Sequence, residues 1–358
     1  MLSSEQQSAI DHLFHNHKKQ QVQTLGGYAG TGKTTIISNL VDKYEEAGIR
    51  PIVLAYTGKA VNVLKNKDVP CQTIHSLLYT PMIDHEGNVE GWMPVCSYNI
   101  TKNCDIIIVD ESSMVDSVIY NDLVDTGLPL IFVGDHGQLE PISNANDFNL
   151  MRDPDLKLEE IHRNSGEIAH FAEHLRKGKS PASFPSSSRV QIVTCSAVKP
   201  KHYADYDQVI CLYNKTRTKI NITVREYKKI HFSYIAIGEK IICLKNNHLE
   251  GLFNGMQGIV TKVHKNEKLS FTSNNVNYKN VSYDPDQFGK EKNDFRKERS
   301  TKNPFDYAYA ITCHKAQGDE WDDIIVYEEV NNFCDTSRWR YTAASRARNS
   351  IIWIPTLF

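Results

Sequence analysis

Four short apolar runs punctuate the first half of the chain, at Val22–Leu25, Ile52–Ala55, Asp105–Val109 and Leu130–Val133. Each is four or five residues long, too short for a helix, and fits a strand buried on both faces of a parallel sheet. Between the first two, Lys33–Ala47 reads as a helix that Gly48 ends and Pro51 follows. Each run hands over to a polar or glycine-rich cluster: GGYAGTGKTT, YTGKA, DESS and GDHGQ. Open α/β sheets bind their ligands outside the carboxyl ends of the strands. Four clusters at four such ends therefore predict one convergent site.

The second half repeats the theme. Strands are expected at Gln208–Leu212, Ile324–Val326 and Ile351–Ile354, and helices around Ser165–Arg176 and Thr216–Tyr227, in a second core starting near Leu158. Between Phe232 and Pro304 the period shortens. IGEKIICLKNN, GMQGIVTKVH, KLSFTS and VNYKNVSYD alternate between Gly, Asn and Asp, which predicts a small antiparallel barrel inserted in that core. A shorter insertion at about 79–98 carries a hairpin-like turn, His85-Glu86-Gly87-Asn88. The stretch Gly289–Lys302 mixes charges of both signs and reads as a solvated loop.

Composition narrows the class. A length of 358 residues suits two compact cores plus insertions. No apolar run approaches the ~20 residues that span a bilayer, and MLSSEQQSAIDHLF lacks a basic then apolar leader, so the expectation is a cytoplasmic protein without membrane contact. The eight cysteines form no CxxC, which speaks for reduced thiols over zinc ligands or disulfides. A formal net charge of −2 gives no bulk support to nucleic-acid binding, so such a site has to be a local groove.

The sharpest chemistry is Gly27-Tyr28-Ala29-Gly30-Thr31-Gly32-Lys33-Thr34, then Thr35, placed after a strand and before a helix. Gly27, Gly30 and Gly32 let backbone N–H groups, that of Thr31 among them, curl round phosphate oxygens at a helix N-terminus. Lys33 is expected on the β- and γ-phosphates of ATP, and Thr34 on Mg²⁺. Asp110 and Glu111 close the Ile106–Val109 run; Asp110 suits the Mg²⁺ shell and Glu111 a general base for the attacking water. The bland alternatives are a chance glycine turn and a solvated strand end.

In order, GGYAGTGKTT, LAYTGKAV, TIHSLL, IIIVDESSMV, GDHGQLEPI, LEEIHRN, AITCHKAQGDEW and YTAASRAR resemble the motif series of superfamily 1 helicases, nearest the RecD-like branch with its compact phage Dda-type members. The resemblance runs from Gln6 to about Trp353 and implies an α/β fold of two RecA-like motor domains. The first is expected over 1–156; the second over 157–231 and 304–358, with an SH3-like barrel at 232–303. It also implies an ATP-dependent DNA helicase, a monomer moving 5′ to 3′ on single-stranded DNA and opening forked duplexes. Single-strand-binding or replisome proteins are conceivable partners. An RNA helicase, or a nucleic-acid-stimulated NTPase switch without unwinding, stays open.

Residue by residue, the resemblance assigns Gln6 to the adenine edge and Gln138 to the link between γ-phosphate and DNA, in a loop that Asp135 helps hold. Glu140 stands where the family usually has a second proline. Arg163 and Arg346 match the two arginines offered to the γ-phosphate, where a fixed guanidinium is worth roughly 10³–10⁵ in rate. Thr57, Lys59, Thr73, His75, Asn214, Thr312, His314 and Lys315 fall in strand-contacting motifs, although His75 and His314 equally suit core histidines. Gly318 and Glu320 sit where the family couples DNA to ribose and phosphate, and Ala316 replaces a common serine. The 79–98 insertion would be the duplex-splitting wedge, with Trp92 or Met93 stacked on the last base pair.

Overall fold

The computed structural model describes residues 2–56, 58–65, 68–83, 89–140, 148–160, 166–231, 234–247, 250–273, 276–291, 302–329 and 335–355. The chain divides into two compact units, Met1–Ser165 and Gly166–Phe358.

The first unit holds β1 (Val22–Gly27), β2 (Pro51–Ala55), β3 (Cys71–Thr73), a hairpin of β4 (Tyr79–Ile83) and β5 (Val89–Pro94), then β6 (Ile106–Asp110), β7 (Leu130–Gly134) and β8 (Leu156–Leu158). Apart from the hairpin these form one parallel sheet, ordered β3-β2-β6-β7-β1-β8. The lack of alternation in β6 has a direct cause. Ile106 and Ile108 pack with Ile36, Leu40 and Tyr44 of the helix Lys33–Glu46 on one face, while Ile107 and Val109 pack with Ile74, Ile119 and Leu123 on the other. A strand covered on both sides needs apolar residues at every position. Truncating such a residue, as in Ile108→Ala, costs about 2–5 kcal/mol.

One expectation is corrected here. Leu158, read as the approach to the second core, is fully buried in the first, because β8 pairs with β1. A three-residue edge strand is too short to carry a readable period.

The second unit contains β9 (Val190–Ile192), β10 (Gln208–Cys211), β11 (Lys240–Cys243), β12 (Gln257–His264), β13 (Lys268–Ser273), β14 (Val276–Ser282), β15 (Phe305–Tyr307), β16 (Ala310–Thr312), β17 (Trp321–Tyr327) and β18 (Ala347–Ile354). A parallel sheet runs β16-β10-β17-β18-β9; a separate antiparallel sheet runs β14-β13-β12-β11-β15. The two share one core, in which Val209, Ile325 and Ile352 meet Ile241, Phe271 and Phe305. Two buried ion pairs reinforce the join from the helix Asn214–Tyr227. Arg217 Nη1 lies 2.5 Å from Asp306 Oδ2, and Arg225 Nε lies 2.7 Å from Glu239 Oε1. Desolvation pushes the Asp306 carboxyl above its ordinary pKa, against the pull of Arg217. Asn221 completes the anchor, donating to the carbonyls of Tyr307 and Ala310 and accepting from the Ala310 N–H at 2.7 Å.

Among the described residues no helix is long and apolar enough to cross a membrane. Seven cysteines are free thiols, five of them buried; Cys334 lies outside the described residues.

Candidate functional site

The loop after β1 is shaped by glycine. Gly30 and Gly32 take φ of 83° and 84°, values that favour glycine. A Cβ on Gly27 would lie 2.7 Å from Thr31 Oγ1. The helix Lys33–Glu46 starts at Gly32 without a side-chain cap and with no acidic residue in its first turn. Its leading N–H groups and its positive dipole end are thus left for an anion from outside the helix.

Around this loop the side chains interlock. Lys33 Nζ donates to the carbonyls of Gly27 at 2.7 Å and Tyr28 at 3.0 Å. Thr31 is buried, and its hydroxyl donates to Tyr28 O at 2.9 Å. Thr34 is half-buried and Thr35 exposed on the first helical turn.

Gln6 is 4% exposed, so it is no surface residue. Its Oε1 accepts from the Ser3 N–H in a capping box, and its Nε2 donates to Thr31 O at 2.9 Å, tying the helix Ser4–Asn16 to the loop.

Asp110 ends β6, and Glu111 follows at φ 53°, ψ 37°. A left-handed glutamate is uncommon, and residues held in such regions cluster at functional sites. The turn Ser112–Met114 comes next, where the buried hydroxyls of Ser112 and Ser113 meet no hydrogen-bond partner among the described residues. Sequence reading placed these two serines in the DESS cluster without giving either a role.

Beyond β7, Asp135 organises the next loop. Its Oδ1 accepts the Gly137 N–H at 2.9 Å, its Oδ2 accepts Gln138 Nε2 at 3.1 Å, and the same oxygen lies 3.8 Å from Lys33 Nζ. Tyr28 and His136 place their ring centroids 4.2 Å apart, a second contact between the loops that no sequence signal announced. Glu140, at the position of the missing proline, accepts from Asn149 Nδ2 at 2.8 Å. Lys33, Asp135 and Gln138 are thus brought together.

The remaining first-unit candidates are more dispersed. Thr73 caps the helix Ile74–Leu78, accepting from the Ser76 N–H. His75 is half-buried, and desolvation lowers its pKa despite the opposing charge of Asp116. Lys59 lies on the helix Gly58–Lys65, and Trp92 lies on β5 opposite Pro81. Thr57, Arg163 and the 85–88 turn fall outside the described residues.

In the second unit Arg346 is 4% exposed and turned inward. Its Nε donates to Thr342 O, its Nη1 to Asp319 O at 3.2 Å and its Nη2 to Ser345 Oγ at 2.9 Å. Glu320 is exposed and accepts from Arg348 at 3.1 Å, and Gly318 takes φ 77°. Thr312 precedes the short turn that carries His314 and Lys315. Burial lowers the pKa of both. Lys315 Nζ donates to Asn254 Oδ1 at 2.6 Å. Asn214 is exposed at the start of its helix.

A parallel sheet whose first strand opens into GxxxxGK[ST], with an acidic pair at a strand end of the same sheet, defines a P-loop nucleoside-triphosphatase. The chain belongs to the AAA domain family, whose profile matches residues 1–196 of 358, and a UvrD-like helicase C-terminal domain matches residues 307–352. The likeness to the RecD-like branch of superfamily 1 holds in comparisons of sequence and fold. The ATP-dependent RecD2 DNA helicase of Deinococcus radiodurans is 25% identical over 97% of this chain and 48% of its own length. The DNA helicase dda of Enterobacteria phage T4 is 30% identical over 45% of this chain and 39% of its own. The chain thus spans less than half the length of these curated relatives. A Bacteroides Pif1 structure bound to single-stranded DNA shares the fold at TM-score 0.64 and 20% identity, over 100% of this chain and 93% of that one.

Proposed function

We propose that this chain is the motor of an ATP-dependent DNA helicase that moves 5′ to 3′ on single-stranded DNA and opens forked duplexes. The observation that carries the reading is the junction of Lys33, Asp135 and Gln138, which ties a phosphate loop to a neighbouring strand-end loop in one hydrogen-bonded unit. Helicase relatives support the substrate class.

The residues fit the triphosphate and its metal. The uncapped helix start, the glycine φ values and Lys33 suit phosphate oxygens. Thr34 and Asp110 would hold Mg²⁺, an ion that usually keeps several waters and takes one or two protein ligands. Held by Thr34 and Asp110, Mg²⁺ would supply positive charge to offset that of the phosphate oxygens. Glu111 takes the proton of the attacking water. Gln6 faces the adenine edge and Gln138 relays the state of the γ-phosphate. Gly318 and Glu320 couple the ribose and phosphates to the DNA grip.

Arg163 and Arg346 are the guanidinium donors to the γ-phosphate, and closure of the two motor domains brings Arg346 to it. Arg346 must then exchange carbonyls of its own unit for phosphate oxygens. Thr57, Lys59, Thr73, His75, Asn214, Thr312, His314 and Lys315 grip the strand through hydroxyls, amides and a few cations. The β4–β5 hairpin with Trp92 is the wedge, and the β11–β15 sheet is an SH3-like wall of the channel. The chain acts as a monomer in the cytoplasm, and single-strand-binding or replisome proteins are candidate partners.

Steady-state ATPase with (dT) or (rU) oligomers tests the reading. Stimulation by DNA well above RNA is expected. Preference for RNA would make this an RNA helicase, and turnover indifferent to either polymer would overturn the proposal.

A further inference from the structure

The first turn of the helix Ser4–Asn16 holds two other stretches of chain at once. Its capping box closes the turn on itself: the Gln6 N–H donates to Ser3 Oγ at 3.2 Å, and the Ser3 N–H donates to Gln6 Oε1 at 2.9 Å. Ala9, Ile10 and Leu13 seat the helix in the core of the first unit, with Leu25, Ile36 and Leu158. From this base Gln6 Nε2 reaches Thr31 O in the phosphate loop. Its neighbour Glu5 reaches elsewhere. Glu5 Oε1 accepts the Glu159 N–H at 3.0 Å, and Oε2 accepts the Glu160 N–H at 3.2 Å.

An acidic residue in a first helical turn ordinarily answers the helix dipole from the surface. Glu5 is half-buried and commits both carboxylate oxygens to a segment distant in sequence. Charge-assisted bonds of this kind are roughly twice as strong as neutral ones. They act here against like charge, because the residues they hold are themselves glutamates. The segment leads to the proposed chemistry. β8 runs into it, pairing with β1 so that Leu158 lies opposite Gly27, the first glycine of the phosphate loop. A Cβ on Gly27 would lie 3.2 Å from the Leu158 side chain. Glu159 and Glu160 thus leave the sheet beside the phosphate loop, and the chain continues as Ile161-His162-Arg163.

We propose that Glu5 is a positioning residue for hydrolysis: it fixes the exit of 159–160, and with it the reach of Arg163, in step with the base read by Gln6. The proposal rests on the reading of the chain as an ATP-driven motor. A base held by Gln6 stiffens the helical turn it shares with Glu5, and the steadied carboxylate narrows the positions open to the segment. Misplacing a reacting group by about 1 Å can cost on the order of 10²-fold in rate, so two hydrogen bonds at this exit are enough to matter.

Single-turnover hydrolysis of ATP and of GTP with (dT) oligomers present, beside calorimetric nucleotide titration, tests this. GTP keeps the purine shape and puts a carbonyl acceptor where adenine has an amino donor, so Gln6 cannot read it as it reads ATP. Glu5→Ala should slow ATP hydrolysis on the order of 10–100-fold, slow GTP hydrolysis by less, and leave ATP affinity unchanged because Gln6 is retained. Glu5→Gln keeps one acceptor oxygen and should fall between; it carries the test if the alanine variant does not fold. Amide hydrogen exchange over 156–160 should quicken in both variants. The proposal falls, with the motor reading intact, if ATP and GTP slow equally, if neither slows, if the loss lies in affinity alone, or if the exchange is unchanged. Wild-type protein that hydrolyses neither nucleotide would sink the motor reading and the proposal with it.

Discussion

Lys33 Nζ stands 3.8 Å from Asp135 Oδ2, so the phosphate-loop lysine and the loop after β7 share one buried carboxylate. The same oxygen holds Gln138. Asp135→Asn keeps the shape and removes the charge. Turnover is expected to fall by about 10–100-fold, the scale of losing a positioning contact that supports the reacting groups, with little change in nucleotide affinity. Steady-state ATPase and calorimetric nucleotide titration measure the two. Unchanged turnover would separate Asp135 from the chemistry.

Glu111 combines a proposed chemical role with a strained backbone at φ 53°. Glu111→Gln should retain nucleotide binding and lose about 10²–10⁴ in rate, the range for a general base. Glu111→Gly should lose the same activity while gaining about 1 kcal/mol of stability, because glycine relieves the left-handed conformation. A glycine variant that melts below the wild type would remove strain from the account.

Arg346 is held by three hydrogen bonds within its own unit. Arg346→Lys cannot reproduce the fork, so hydrolysis should drop by about 10³-fold or more. Stability should fall by about 1–3 kcal/mol as buried carbonyls lose donors. Single-turnover kinetics and thermal melting report the two effects separately. Retained hydrolysis with lowered stability would leave Arg346 a structural residue only.

Asp105 gives a pH test with a worked sign. Hydrogen bonds from the Arg50 guanidinium and from the Arg50 backbone N–H hold its carboxyl at about 2 against an ordinary value of 3.8. A depressed carboxylate contributes stability that is complete above about 4 and is lost as pH falls through 2. The pair is solvent-exposed, so the gain is small. Carboxylate NMR should show the low midpoint, and Arg50→Ala should return it to the ordinary range. For His75 and His314 the direction is also downward, through burial, so both are neutral at pH 7. DNA affinity at fixed ionic strength should therefore be flat between pH 7 and 8.

Much of this architecture was readable from local pattern. The apolar run of β6 and the glycine loop before Lys33 carry their own signals, because burial on both faces and left-handed glycines dictate residue type directly. The short edge strands β3, β8 and β9 did not stand out, since three residues define no period and pairing comes from distant partners. The same holds at the site. Lys33 is legible by motif, while the bond from Gln6 to Thr31, the inward fork of Arg346 and the tilted ring contact of Tyr28 with His136 are tertiary facts.

Unwinding of forked duplexes with either a 5′ or a 3′ single-stranded tail, with and without ATP, addresses the motor itself. Strand separation that needs ATP and a 5′ tail is the expected result. ATP hydrolysis without separation on either fork would contradict a motor and leave a nucleotide-dependent switch.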